Sequence, residues 1–147
     1  MFNVRMVNKN DLPALQELYL NLHDTSIMPL TSRCLKIWED ILKTPDYHIL
    51  IGEYMGQIVS SVTMIIIKNL TCDMRPYALI ENIVTDANHR NKGYAGLLMD
   101  KAVEIAKDNE CFKVMLLNVS SDDATATLYK KAGFTDTEVG YVMKLSK

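Results

Sequence analysis

Long apolar runs are missing from this chain. The longest, residues 64–67, is far too short to cross a bilayer as a helix, so no membrane partner is expected. The start, Met1-Phe2-Asn3-Val4-Arg5, has no apolar stretch like that of a secretory signal, and a soluble cytoplasmic protein is expected. Cysteine is scarce: Cys34, Cys72 and Cys111 are odd in number and far apart, and no pair has metal-ligand spacing. Reduced thiols and no metal are the expectation. Basic residues do not concentrate. The densest group, 89–92, is short and the formal net charge is −2, so nucleic acid is not expected as a partner. Internal repeats and low-complexity segments are absent, as are the P-loop pattern and the G-x-G-x-x-G dinucleotide fingerprint.

What is present suits one core. The chain has 147 residues, 48% of them apolar, which predicts a single domain over residues 1–147. Residues 2–7 alternate as a first strand. Asn8-Lys9-Asn10-Asp11 caps a helix with Pro13 in its first turn and Leu15, Leu18, Tyr19 and Leu22 at helical spacing. After a loop at 23–29, Thr31 or Ser32 caps a second helix carrying Leu35, Ile37, Trp38, Ile41 and Leu42. Residues 47–53 and 57–68 form a hairpin around Met55-Gly56, and 77–86 a fourth strand. A strong amphipathic helix follows at 94–108, a fifth strand at 112–119, and a short helix at 123–132 closed by Gly133. Residues 137–145 supply one or two last strands. The order predicts a mixed α+β sandwich. Its sheet is mostly antiparallel, with a parallel unit of strand four, long helix and strand five.

The segment 86–96 runs from a strand straight into a helix N-terminus. Such a start exposes unpaired N–H groups and partial positive charge, which bind anions. Gly93 lets the backbone curl, Ala95 and Gly96 keep the first turn thin, and Arg90 and Lys92 add positive field. A plain strand-to-helix turn would use its glycine in the same way.

Arg90-x-x-Gly93-x-Ala95 after a strand resembles the [QR]-x-x-G-x-[GA] signature of the GCN5-related N-acetyltransferases. Leu128-Tyr129-Lys130-Lys131-Ala132-Gly133-Phe134 resembles a second recurrent segment of that family, [LF]-Y-x-K-x-G-F. The element order resembles the family's over nearly the whole chain. The resemblance implies the acyl-CoA N-acyltransferase fold, acetyl-CoA as co-substrate and no metal. It implies that backbone groups of Ile83, Val84 and Thr85 hold the pantetheine arm, one amide polarising the thioester carbonyl. The amides of Asn91, Lys92, Gly93, Tyr94, Ala95 and Gly96 would hold the pyrophosphate. Strands four and five would splay apart just beyond, leaving backbone groups for the co-substrate to pair. Tyr129 matches the tyrosine that protonates the departing thiolate. Many members carry an asparagine seven residues earlier; here that position is Asp122.

On the amine side, Glu81 and Asn82 form a polar pair inside an otherwise apolar strand, and alternation predicts that they point to opposite faces. Ile80-Glu81-Asn82-Ile83-Val84 resembles the Glu-Asp pair region of glucosamine-6-phosphate N-acetyltransferases, with Asn82 in place of an acid. Cys111-Phe112-Lys113-Val114 resembles their Cys-Tyr-Lys stretch. Direct attack of a neutral amine needs a base or a water chain, and Glu81 is the candidate. His23, with Asp24, lies in the loop that in this family often covers the acceptor site. Arg75 and Lys68 would suit an anionic small acceptor. The expected reaction is acetylation of a primary amine on a small molecule, such as an amino sugar or another metabolite. The alternatives are a protein or peptide acceptor, or a non-catalytic acyl-CoA-binding module. A homodimer is also left open.

Overall fold

The computed structural model describes residues 1–22, 30–119 and 122–146. They fall into two compact units, Met1–Leu116 and Leu117–Lys147.

The first unit carries β1 (Phe2–Met6), α1 (Leu12–Tyr19), α2 (Ser32–Lys43), β2 (Tyr47–Tyr54), β3 (Gln57–Ile67), β4 (Tyr77–Thr85), a 3-10 turn (Ala87–His89), α3 (Tyr94–Asp108) and β5 (Val114–Met115). The sheet runs in the order β1-β2-β3-β4-β5. The first four strands are antiparallel neighbours, and β4 and β5 are parallel. This is the mixed α+β architecture that the sequence implies. The β2–β3 hairpin turns on Met55 and Gly56, both at positive φ (48° and 80°), the geometry that matches the twist of the strands it joins.

Each face of the sheet is covered by helix. On one face Leu12, Leu15 and Leu18 of α1 and Trp38 of α2 pack against Ile49, Ile51 and Val84. On the other, α3 lies against β2, β3 and β4 and buries Leu98, Met99, Ala102 and Ala106. Each large apolar side chain buried this way stabilises the fold by roughly 1.5–3 kcal/mol. The N-terminus of α1 is tied to the sheet by charge. Arg5 donates to both carboxylate oxygens of Asp11 at 2.8 and 3.0 Å, and to Glu53 at 2.9 and 3.1 Å. α2 is capped by the Thr31 hydroxyl, which accepts from the Cys34 N–H. Trp38 donates its indole N–H to the Lys9 carbonyl.

The second unit contains α4 (Asp123–Lys131). The Asp122 carboxylate accepts from the Ala124 N–H and caps its start. Its end closes as expected at Gly133, φ 95°: Phe134 N–H donates to the Tyr129 carbonyl and Gly133 N–H to that of Lys130.

Two strand expectations are corrected. β5 is only Val114–Met115 rather than 112–119, and residues 137–145 form no strand. The alternation of Val139, Tyr141, Met143 and Leu145 signals a capacity to line one strand face. A strand also needs a paired neighbour, which alternation alone does not supply. All four side chains are at least 80% exposed.

Candidate active site

β4 does not run straight. Val84 pairs with Ser61 and Glu81 with Thr63, so Val62 of β3 faces two residues of β4, Asn82 and Ile83. This is a β-bulge, and Asn82 sits in it at φ 52°. Asparagine tolerates the left-handed region better than most residues, which gives Asn82 a backbone reason to be there. The bulge shifts the alternation along β4 between Glu81 and Val84. Both are exposed, and the extra residue puts Glu81 and Val84 on the same face, the one covered by α1.

The outer edge of β4 is open. Its pairing with β5 stops at Leu79 opposite Met115, and β4 continues to Thr85 without that partner. Asp86 N–H donates back to the Val59 carbonyl at 2.8 Å, so alternation turns the Thr85 and Ile83 backbone groups outward, away from β3. The Val84 carbonyl instead accepts from the Ser60 hydroxyl at 3.0 Å, and the same hydroxyl meets that of Thr85 at 2.9 Å. Beyond Leu79 the outer edge of β4 therefore has no strand partner among the described residues.

The strand then enters the loop that was expected to bind phosphate. Asp86 anchors it. Its carboxylate accepts from the Asn88 N–H at 3.0 Å and meets His89 Nδ1 at 2.8 Å, and that contact holds the Asp86 carboxyl below its usual value. Arg90 Nε donates to the Thr85 carbonyl at 3.2 Å, and Lys92 Nζ lies 5.9 Å from the centre of the Tyr54 ring. Asn91 and Gly93 are both left-handed, at φ 59° and 78°. Gly93 is the N-cap of α3 and, having no side chain, leaves the first N–H groups of the helix without a cap. Among the described residues a Cβ on Gly93 would meet nothing within 4 Å, so its need is conformational. Asn91 and Gly93 are thus left-handed on either side of Lys92, just ahead of a helix start that carries partial positive charge.

On the α1 face, Thr63 lies opposite Glu81 and is only 1% exposed. The Tyr19 hydroxyl lies beside those of Thr63 and Ser61. Burial raises the pKa of that phenol, and the two neighbouring hydroxyls oppose the rise. Thr63 Oγ1 is nevertheless buried without a hydrogen-bond partner of sound geometry among the described residues. The sequence reading took Tyr19 as a packing residue and passed over β3. The available signal was the run Ser60-Ser61-Val62-Thr63, three hydroxyl side chains inside an apolar central strand. His23 lies outside the described residues.

Tyr129 is in the second unit, on α4. It is half-buried, and burial raises its pKa. Arg75, expected to face an anionic acceptor, instead donates to the Glu110 and Cys111 carbonyls beyond the end of α3. All three cysteines are free thiols, and burial raises the pKa of Cys111. Among the described residues, no cluster of His, Cys, Asp or Glu has the arrangement of a metal site, and no helix is long and apolar enough to cross a membrane.

Residues 12–134 match the model of the Acetyltransferase (GNAT) family. Solved structures agree over almost the full length. A protein of Agrobacterium tumefaciens str. C58 assigned by name to the acetyltransferases is 33% identical, with a TM-score of 0.90, over 97% of this chain and 99% of its own. An acetyltransferase of Trypanosoma brucei is 26% identical, with a TM-score of 0.84, over 99% and 100%. The glucosamine-6-phosphate N-acetyltransferase of Arabidopsis thaliana shares the fold at 20% identity, with a TM-score of 0.87, over 99% of each chain.

Proposed function

The chain belongs to the acetyltransferase (GNAT) family, and we propose that it acts as one domain, transferring the acetyl group of acetyl-CoA to a primary amine of a small molecule. One observation carries this reading: the open outer edge of β4 leads, through the loop 86–93, to the uncapped start of α3. An extended pantetheine arm needs outward backbone groups along its length, and a pyrophosphate needs converging N–H donors at its end. Ile83 and Thr85 supply the first, with Val84 between them. Asn91, Lys92, Gly93, Tyr94, Ala95 and Gly96 supply the second. No metal is needed for this chemistry.

Acetyl-CoA supplies an activated thioester carbonyl. An outward amide of β4 polarises its oxygen from a rigid backbone position. Glu81 takes the proton that the ammonium must lose before its nitrogen can attack, directly or through water. The new C–N bond forms at the carbonyl carbon, the C–S bond breaks, and Tyr129 gives the departing sulfur a proton. Asn82 holds the β4 bulge beside the amine.

The test is a thiol-release assay with acetyl-CoA against a panel of small primary amines and peptide N-termini. Amine-dependent release with a small amine supports the reading. Release only with peptides would replace the acceptor class, and tight acetyl-CoA binding without release from any amine would leave a binding module.

A further inference from the structure

Tyr54 ends β2 beside the Met55-Gly56 turn, half-buried, and no step of the transfer just described uses it. Its ring is a meeting point. The His89 ring has its centre 5.8 Å away and is tilted by 59°. The Tyr94 ring lies at 6.1 Å, tilted by 32°. The Lys92 ammonium stands 5.9 Å from the ring centre. Such separations are those of tilted aromatic pairs and of cation–π contacts. One side chain of β2 thus reaches three residues of the segment 89–94.

The same segment is tied down from other elements. Asp86 N–H donates to the Val59 carbonyl of β3 at 2.8 Å, and Ala87 N–H to Asn21 Oδ1 at 3.3 Å. The Asp86 carboxylate can only accept, so the proton in its 2.8 Å contact lies on His89 Nδ1. That bond holds the imidazole that meets Tyr54. Arg90 Nε is turned back onto the Thr85 carbonyl. Among the described residues, the N–H groups of Asn91, Lys92 and Gly93 have no backbone partner. The segment is therefore held through its side chains while these amides stay open. Lys92 is the middle of that open run, between two left-handed residues, and Tyr54 meets its side chain there.

We propose that Tyr54 is a positioning residue for acetyl-CoA: its ring holds His89, Lys92 and Tyr94 so that the amides of residues 91–94 point at one pyrophosphate. This rests on the reading of residues 91–96 as the pyrophosphate site. Hydrogen bonds weaken steeply once their angles close below about 120°, so donors on a loop bind an anion well only if their directions are set beforehand. All three contacts are made to the ring, so the ring matters and the phenolic hydroxyl does not. All three lie at the phosphate end of the site, so the effect falls on acetyl-CoA rather than on the amine.

The experiment titrates acetyl-CoA into each protein by calorimetry, which needs no acceptor, and then measures thiol release with the fastest amine. Tyr54→Leu occupies similar space without an aromatic face. It should weaken acetyl-CoA binding and raise the acetyl-CoA KM about tenfold, the loss expected for several ring contacts. The acceptor KM, and kcat at saturating acetyl-CoA, should not move. Tyr54→Phe keeps the ring and should restore wild-type affinity. A merely structural tyrosine predicts a lower melting temperature in Tyr54→Leu with unchanged affinity, and that result overturns the inference while leaving the acetyl-CoA reading intact. Affinity as weak in Tyr54→Phe as in Tyr54→Leu also overturns it, because the role would pass to the hydroxyl. No binding of acetyl-CoA by the wild type sinks the acetyl-CoA reading itself, and the inference with it. If Tyr54→Leu fails to fold, His89→Ala decides in its place. It deletes the ring contact and the bond to Asp86 and should weaken acetyl-CoA binding, with His89→Asn recovering part through its own N–H donor. Wild-type affinity in His89→Ala would then overturn the inference.

Discussion

The ring of Phe2 lies flat on that of Tyr94, with centroids 3.9 Å apart and planes 3° from parallel. The contact joins the first strand of the sheet to the first residue of α3, whose N–H is one of the proposed phosphate donors. Gly52 makes room for it. A Cβ there would fall 2.3 Å from the Phe2 ring and 3.0 Å from Leu98. A missing side chain on β2 thus lets an aromatic pair fix where the helix begins.

Gly52→Ala should displace Phe2 and loosen that start. Forcing one methyl into a filled core typically costs about 1–3 kcal/mol. The expected outcome is a melting temperature several degrees lower, together with weaker acetyl-CoA binding. Equal stability in thermal denaturation would mean that the Phe2 ring turns aside freely and that the stack is not a constraint.

Gly93→Val tests the proposed pyrophosphate site by a different route. Among the described residues nothing lies within 4 Å of a Cβ placed here, but φ 78° is a conformation that a β-branched residue strongly resists. The loop should shift out of its left-handed turn at a cost of roughly 1–2 kcal/mol. The fold should survive and acetyl-CoA affinity should fall sharply. Titration calorimetry on folded variant protein reads this, and an unaltered affinity would remove the pyrophosphate from residues 91–96.

Acid should attack the Arg5–Asp11 link. The Arg5 guanidinium holds the Asp11 carboxyl below its ordinary value of 3.8. A carboxyl lowered in the folded state stabilises the protein fully above its unfolded pKa, and this stabilisation is lost as pH falls through the folded value. Stability should therefore decline below about pH 4. Asp11→Asn should cost about 2 kcal/mol near neutrality and flatten that decline. Urea denaturation from pH 3 to pH 7 measures both, and an equal acid slope in the variant would assign the loss elsewhere.

Much of this was written in the sequence because it is local. The hairpin at Met55-Gly56, the cap at Gly133 and the turn into α3 each depend on a residue's own backbone preferences, so they show in a short window. The bulge at Asn82 does not, because it is a mismatch of count between β3 and β4 and neither strand reveals it alone. The pairing of Thr63 with Glu81 is hidden for the same reason, since it joins two strands separated in the chain. The last strands failed for a related cause. Alternation at Val139, Tyr141, Met143 and Leu145 states what a strand would bury, whereas pairing depends on an edge supplied elsewhere.

Glu81→Gln preserves size and removes basicity. If Glu81 takes the amine proton, the rate should fall most at low pH, where unprotonated amine is scarcest and a base matters most. At high pH the variant should approach the wild type. A pH–rate profile of unchanged shape would clear Glu81 and leave deprotonation to solvent.

Tyr129 carries the last prediction. It lies on α4, whose end is fixed by the bond from Phe134 N–H to its own carbonyl. Burial raises its pKa above the ordinary 10.0, so the phenol keeps its proton throughout the physiological range. A group that is to protonate a departing thiolate has to hold that proton when the sulfur leaves. The thiolate is already a fair leaving group, so the contribution should sit at the low end of general acid catalysis, about a hundredfold. Tyr129→Phe keeps the ring and its packing while deleting the acid. Turnover should drop by about that factor, with acetyl-CoA affinity and melting temperature nearly unchanged. The wild-type rate should also hold to a higher pH than a phenol of ordinary pKa would allow, because burial raises the pKa of Tyr129. A packing role for Tyr129 predicts the reverse pattern, with stability or affinity altered and turnover preserved. Steady-state kinetics beside thermal denaturation separates the two, and wild-type turnover in Tyr129→Phe would hand the proton to water or another residue.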